Sequence, residues 1–72
     1  MTITDRERRF GERLQAIRQD IGLSQLALAQ AAGIDRKTIN RIENGHFSPN
    51  LNTLLRLSVS LDTPIDRLMR GI

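Results

Sequence analysis

Residues 36–43 carry a dense set of side chains that can bind nucleic acid. Between Asp35 and Asn44, the positions that do not fit a core pattern hold polar groups: Arg36, Lys37, Thr38, Asn40, Arg41 and Glu43. Most of these groups can donate hydrogen bonds to base edges or to phosphate oxygens. Their chemistry would be nucleic-acid recognition, provided that the segment forms a helix that presents them together.

The overall charge supports an anionic partner only weakly. Eleven lysine and arginine residues face eight acidic ones, which gives a net charge of +3, and ten of the eleven cations are arginine. Arginine is a fork-shaped donor that suits phosphates and guanine edges, but a charge of this size is also common on domains that bind nothing acidic. Near the N-terminus, Arg6, Arg9 and Arg13 alternate with acidic residues that nearly cancel them, as on a solvated face. The position of the cations in residues 36–41 is therefore more informative than the total.

Several function classes are excluded by composition. The chain has no cysteine and a single histidine, His46, so a disulfide, a Cys/His zinc site and a thiol nucleophile are ruled out. Without a glycine-rich phosphate loop or paired carboxylates, we expect neither an enzyme nor a cofactor, metal or small-molecule ligand. The longest apolar run, residues 26–29, is far short of the roughly 20 residues of a membrane span. Since no secretory signal is apparent either, the sequence predicts a cytoplasmic protein.

With 72 residues, the chain can form one small domain, residues 1–72, and its first helix shows clear boundaries. Thr4 and Glu7 fit a capping box, so this helix is predicted to begin near Asp5. It ends around residues 21–22, where Gly22 can adopt a left-handed conformation. Apolar residues at spacings of four, three and four are predicted to face the core: Phe10, Leu14, Ile17 and Ile21.

Two short helices follow, joined by a tight turn. Ser24 is a good N-cap for a helix over residues 25–31, and Gly33 interrupts the pattern shortly afterwards. Asp35 then caps a third helix that extends to about Asn44. The apolar residues Ile34, Ile39 and Ile42 are predicted to face the core. Residues 24–44 therefore predict a helix-turn-helix, in which the second helix enters the DNA major groove.

Two further helices complete the predicted fold. Asn50 can cap a fourth helix, and Thr63 as N-cap with Pro64 at the first helical position starts a short fifth one. The fourth helix has a broad apolar face made of Leu51, Leu54, Leu55, Leu57 and Leu61, and the fifth carries Ile65, Leu68 and Met69. No segment of the sequence shows a β-strand pattern that would compete with these helices. The predicted class is all-α, a compact five-helix bundle.

A series of residues between Gly11 and Gly71 carries a family resemblance. They are Leu14 and Arg18, then Gly22-Leu23-Ser24-Gln25, Leu28-Ala29, Gly33-Ile34, Ile39, Arg41-Ile42-Glu43-Asn44-Gly45, Ser48-Pro49-Asn50, Thr53-Leu54-Leu55 with Leu57, and Leu61. In this order they resemble the Cro/C1 family of lambda-repressor-like helix-turn-helix regulators, which includes phage repressors and restriction-modification controller proteins. Leu26 and Ala27 depart from the pattern, because the family usually has polar residues there.

The resemblance implies a set of DNA contacts. Base contacts would come from the exposed face of the third helix: Arg36, Lys37 and Arg41, joined by Asn40, whose carboxamide can pair with adenine. Phosphate contacts would come from Ser24, Gln25, Thr38, Asn44 and His46. Gln25 would also brace the recognition helix. Two alternatives stay open: Arg41 as a solvated charge or phosphate contact, and His46 as an exposed loop residue without a partner.

The resemblance also implies a structural ion pair and a regulator that works as a dimer. Arg18 and Glu43 match a partly buried pair that fixes the helix-turn-helix to its support. One recognition helix reads few base pairs, so a homodimer on a pseudo-palindromic operator is expected. Its interface is predicted in the C-terminal part, from Leu51, Leu61, Ile65, Met69 and Ile72.

The expected function is sequence-specific regulation of transcription by binding double-stranded DNA. RNA polymerase is a further candidate partner, and the sequence does not distinguish a repressor from an activator. Because the chain stops soon after the fifth helix, we expect no sensor domain. The alternative is an antitoxin-like module that neutralises a toxin and regulates its own promoter.

Overall fold

The computed structural model describes the backbone of residues 3–72 and the side chains of residues 5–72. It contains five α-helices and, over this range, no strand: α1 (Ile3–Ile21), α2 (Gln25–Ala32), α3 (Arg36–Glu43), α4 (Leu51–Ser60) and α5 (Ile65–Leu68). Helix α1 packs against α3 and α5, α2 packs against α3 and α4, and α4 packs against α5. The predicted all-α class is confirmed.

Three of the predicted helix caps are present in the structure. Ser24 Oγ accepts a hydrogen bond from the backbone N–H of Ala27 at 3.0 Å, and Asp35 Oδ1 accepts from Lys37 N–H at 3.0 Å. Asn50 Oδ1 accepts from the N–H of residue 53 at 2.9 Å. Each cap satisfies a backbone donor that has no partner within the first turn of its helix. These short-range bonds fix where α2, α3 and α4 begin.

Two helix starts differ from the prediction. Helix α1 begins at Ile3, so Thr4 lies inside the helix and does not precede it as an N-cap; its side chain, and with it the proposed capping box, lies outside the described residues. In α5 the N-cap is Pro64, not Thr63. The Thr63 hydroxyl is buried and donates to the carbonyl oxygen of Leu61 at 2.9 Å, so it is directed back toward the end of α4.

All five helices contribute to one hydrophobic core. Its buried members are Phe10, Leu14, Leu28, Ala29, Ala32, Ile39, Ile42, Leu57, Leu61 and Leu68. The predicted core position of Ile21 is wrong, because α1 ends at this residue and leaves its side chain 50% exposed. Leu23, beyond the Gly22 turn, packs against the core instead. The apolar face of α4 is also wider than the surface it buries, since Leu51 and Leu55 are exposed.

Helix α1 approaches the C-terminal end of α3 at Gly11. A Cβ atom built on this glycine would collide with the carbonyl oxygen of Ile42 and would lie 2.6 Å from that of Glu43. Both neighbours are backbone atoms, which cannot move aside as a flexible side chain would. Only glycine lets the two helices come this close.

No helix in the described part of the chain is long and apolar enough to cross a membrane. The same residues contain no cluster of three or more histidine, aspartate or glutamate side chains placed to hold a metal ion.

We expect Gly11→Ala to lower the free energy of unfolding by about 2–3 kcal/mol, because overpacking against fixed atoms forces the backbone to shift. Gly22→Ala is the matched control. Gly22 has a φ of +88° but nothing within 4 Å of its Cβ position, so its loss should be about 1 kcal/mol. Urea denaturation followed by circular dichroism measures both, and equal losses would contradict the proposed close contact.

Candidate nucleic-acid interface

The turn between α2 and α3 sets the angle of the helix-turn-helix. Gly33 adopts a left-handed conformation, with φ +69°, and its N–H bonds to the end of α2. The N–H of Ile34 donates to the carbonyl oxygen of Ala29 at 3.0 Å, while its side chain packs against the core. This is the hydrogen-bonding pattern of a glycine-terminated helix end. The turn therefore holds α3 against α2 through backbone hydrogen bonds and through the apolar packing of Ile34.

Helix α3 separates a buried face from a charged one. Ile39, Ile42 and Glu43 are buried. The four residues predicted to contact bases are all exposed on the remaining surface: Arg36, Lys37, Asn40 and Arg41. Helix α3 has eight residues and is about 12 Å long.

Arg18 and Glu43 form a bidentate ion pair beneath this surface. Arg18 Nε lies 2.6 Å from Glu43 Oε2, and Arg18 Nη2 lies 2.9 Å from Glu43 Oε1. Arg18 Nη1 also donates to the carbonyl oxygen of Leu23 at 2.8 Å. Each of the two paired residues is only 7% exposed. The pair thus joins α1, the segment before α2 and the end of α3.

The surroundings of Arg18 keep its guanidinium charged. The hydrogen bond to Glu43 raises the pKa of Arg18 above its ordinary value, with a further contribution from the opposite charge. Burial acts in the other direction, since it penalises the charged form. The contacts with the carboxylate outweigh this penalty.

Gln25, at the start of α2, connects the ion pair to the exposed face. Its Nε2 donates to Glu43 Oε1 at 3.0 Å, and its Oε1 accepts from Asn40 Nδ2 at 3.4 Å. Asn44 Nδ2 in turn donates to the carbonyl oxygen of Asn40 at 2.8 Å and lies 3.3 Å from Asn40 Oδ1. Gln25 therefore braces α3, and the side chains of Gln25, Asn40 and Asn44 form one connected series.

The remaining predicted phosphate contacts lie around α3. Thr38 is half-buried on the helix, and the exposed Ser24 caps α2 through its hydroxyl oxygen. His46 is exposed in the loop after α3, where its backbone N–H donates to the carbonyl oxygen of Arg41 at 2.8 Å. Thr38 thus lies on a flank of α3, His46 lies beyond its C-terminal end, and Ser24 lies at the start of α2.

Phe47 is a neighbour of the exposed face of α3 that sequence reasoning missed. The guanidinium carbon of Arg41 lies 5.4 Å from the centroid of the Phe47 ring, in a cation–π arrangement. The available signal was composition, because Phe47 is one of only two aromatic residues and follows the predicted recognition helix closely. Arg41 is therefore directed toward the loop between α3 and α4.

The residues predicted to form a dimer interface are not equally accessible. The prediction that Leu61 belongs to this interface is wrong. Its side chain is 2% exposed and belongs to the core of the single chain, so a partner cannot contact it. Ile65 and Ile72 are partly buried against the core, whereas Leu51 and Met69 are 67% and 38% exposed. Leu55 and Val59, which the predicted interface did not include, are also exposed.

Comparison with known proteins gives a consistent result. A model of the Helix-turn-helix family HTH_3 matches residues 14–68. The chain is similar to the SPbeta prophage-derived uncharacterized HTH-type transcriptional regulator YonR of Bacillus subtilis, with 40% identity over 62 residues, 86% of this chain and 57% of YonR. It spans still smaller shares of other curated relatives, 18% for two archaeal regulatory proteins from Pyrococcus.

Two solved structures share the fold at appreciable identity. The restriction-modification controller protein C.AhdI from Aeromonas hydrophila has a TM-score of 0.85 and 35% identity, over 86% of this chain and 94% of that chain. The P22 c2 repressor protein, solved in complex with synthetic operator 9T, has a TM-score of 0.79 and 33% identity, over 88% and 96% of the two chains.

We expect Arg18→Met to lower the free energy of unfolding by about 3–5 kcal/mol, because it leaves the Glu43 carboxylate buried without its counter-ion. Arg8→Met is the matched control. Arg8 pairs with Glu12 at 3.1 Å, but both side chains are more than half exposed, so the loss should be about 0–1 kcal/mol. Urea denaturation would contradict this ranking if Arg8→Met cost as much as Arg18→Met.

Proposed function

Because the chain belongs to the helix-turn-helix family of DNA-binding transcriptional regulators, we propose that it binds a pseudo-palindromic operator as a homodimer. In this proposal α3 lies in the major groove of each half-site. The observation that carries the proposal is the exposed face of α3, which presents Arg36, Lys37 and Arg41. The buried pair of Arg18 and Glu43 fixes this helix to α1.

The charge distribution on α3 supports this assignment. Of the two acidic residues in this segment, Glu43 is buried in its pair with Arg18. The other, Asp35, caps the helix by accepting from a backbone N–H. The exposed part of this segment therefore carries three cations and one acidic residue, so its surface is net positive. The major groove offers guanine N7 and O6 as acceptors. The P22 c2 repressor, which shares this fold, binds a synthetic operator.

Contacts with the DNA backbone would position α3 in the groove. The N-terminus of α2, with Ser24 and Gln25, would face one phosphate, since helix N-termini present free N–H groups and a partial positive charge. Thr38, Asn44 and His46 would contact phosphates along the flank and C-terminal end of α3. These contacts would set the register but carry no sequence information themselves.

An exposed apolar stripe on α4 supports a dimer. Leu51, Leu55 and Val59 are four residues apart and lie on one side of the helix, with exposed fractions of 67%, 49% and 81%. We propose that this stripe and Met69 meet the same surface of a second copy. The chain measures 32 × 22 × 22 Å, a size at which two copies can lie side by side over successive major grooves, which are roughly 34 Å apart.

The function is tested by selecting bound sites from random duplexes with the full chain. We expect a motif with two symmetric half-sites about 10 base pairs apart, centre to centre. Arg36→Ala should then weaken binding to the selected site by about 5- to 150-fold, the range of one bidentate base contact, without changing the melting temperature.

Arg9→Ala is the matched control, because it removes the same charge from α1, where the guanidinium donates to the carbonyl oxygen of Gly71. Its effect at 0.15 M salt should be less than about threefold, since charges are screened over roughly 8 Å. Unchanged affinity of Arg36→Ala for the selected site would refute the base contact.

The dimer is tested by sedimentation of two matched variants without DNA. Leu55→Asn should shift the equilibrium toward monomer, because it places an amide in the apolar contact. Ile21→Asn should have no effect, since Ile21 is as exposed, 50% against 49%, but lies at the end of α1. A wild-type chain that stays monomeric even on the selected duplex would contradict the dimer.

A further inference from the structure

We infer that Asn44 and Gly45 form a spontaneous modification site, at which the Asn44 carboxamide deamidates when the end of α3 opens, and that the product binds DNA less well. The site is defined by the chemistry of the chain alone. The effect on DNA rests on the proposed function, in which Asn44 contacts a phosphate. The sequence contains four asparagines, at positions 40, 44, 50 and 52, and only Asn44 is followed by glycine.

The reaction needs only water as a co-reactant. The backbone nitrogen of Gly45 loses its proton and attacks Cγ of Asn44, the side-chain nitrogen leaves as ammonia, and a five-membered cyclic imide forms. Water then opens this ring at either carbonyl group, which gives aspartate or isoaspartate at position 44. Glycine favours the attack because it has no Cβ to crowd the approaching nitrogen. Asn44 is exposed, so water has access to its side chain.

The way in which α3 ends requires glycine at position 45. Gly45 has a left-handed conformation, with φ +74°, and its N–H donates to the carbonyl oxygen of Ile42 at 3.0 Å. The next N–H, of His46, donates to the carbonyl oxygen of Arg41 at 2.8 Å. These two bonds form a Schellman motif, whose left-handed position is usually glycine. A Cβ atom on Gly45 would also lie 3.0 Å from a backbone atom of α1. The glycine that ends the helix is therefore the one that makes Asn44 reactive.

The folded end of α3 opposes the reaction by its geometry. Ring closure requires the nitrogen of Gly45 to be eclipsed with Cβ of Asn44 about the Cα–C bond. Asn44 has a ψ of 4°, so this nitrogen is eclipsed instead with the backbone nitrogen of Asn44 itself. The bond from Gly45 N–H to Ile42 holds this angle, and Asn44 Nδ2 donates to the carbonyl oxygen of Asn40 at 2.8 Å. The last turn of α3 must therefore open before Asn44 reacts, and helix ends open more readily than a core.

Deamidation changes the end of the helix that is proposed to face DNA. It replaces the NH₂ group that donates to the carbonyl oxygen of Asn40 with a carboxylate, which can only accept. A negative charge is unfavourable there, because the last carbonyl groups of a helix carry a partial negative charge, and it would repel a nearby phosphate. Isoaspartate also adds a methylene to the main chain, so the N–H groups of Gly45 and His46 lose their register with α3. Both products therefore weaken this end of the helix.

The site is tested by incubating the full chain at neutral pH, folded and in guanidinium chloride, and locating deamidated residues by peptide mapping with mass spectrometry. We expect conversion at Asn44 and not at the other three asparagines. The folded chain should react at least about fivefold more slowly, since opening the turn costs free energy. Asn44→Gln is the matched control, because it keeps a carboxamide but would have to form a six-membered ring, and it should stay unmodified.

Three results of this incubation would overturn the assignment. The folded chain could stay unmodified, another asparagine could react as fast as Asn44, or guanidinium chloride could fail to accelerate the conversion. The first two would remove the site, and the third would remove its control by the folded end of α3.

The effect on DNA is measured with the deamidated chain, which ion exchange separates from the fresh chain by its additional negative charge. We expect its affinity for the selected duplex to be lower by about 10- to 150-fold, the range of one hydrogen bond to a charged group. Bound duplex should also slow the conversion of Asn44. Unchanged affinity of the deamidated chain would refute this effect. If the fresh chain binds no duplex, the proposed function fails, whereas peptide mapping still decides the modification site.

Discussion

The bidentate contact between Arg18 and Glu43 is the interaction on which the rest of the molecule depends. Two charges removed from water are tolerated only when their hydrogen-bonding capacity is met. Here the carboxylate accepts from Arg18 and Gln25, and the remaining guanidinium group donates to Leu23. No buried side-chain nitrogen or oxygen in the described part of the chain lacks a partner. The same contact that holds α1 to α3 therefore also determines how the exposed face of α3 is presented.

The charges of the chain are divided between two different uses. On α1, Arg8 lies 3.1 Å from Glu12 and 3.9 Å from Asp5, so charges of opposite sign are interleaved on a solvated surface. On α3, the acidic side chain that belongs to the helix is turned inward, and the cations are left outside. A net charge of +3 conceals this asymmetry. The local arrangement, and not the total, creates a surface suited to an anionic polymer.

Much of the fold could be predicted from sequence because its signals are local. The caps Ser24, Asp35 and Asn50 act on N–H groups two or three residues away, and membership of the helix-turn-helix family confirms the resemblance read from the motifs. Side-chain burial was less predictable. Periodicity places Ile21 and Leu61 on apolar faces, but only the packing of distant helices decides which of them is covered. The contacts of Asn40 with Gln25 and of Arg41 with Phe47 likewise need tertiary structure.

The stacking of Arg41 on Phe47 distinguishes this arginine from its neighbours on α3. A free arginine or lysine side chain has about 2 kcal/mol of rotamer entropy to lose when it is immobilised. The contact with the Phe47 ring favours some torsions of Arg41 over others, so we expect less of this entropy to be lost when a partner binds. Arg36 and Lys37 make no such contact among the described ring interactions and must be ordered on binding. We therefore expect the C-terminal end of α3 to be better ordered before binding than its N-terminal end.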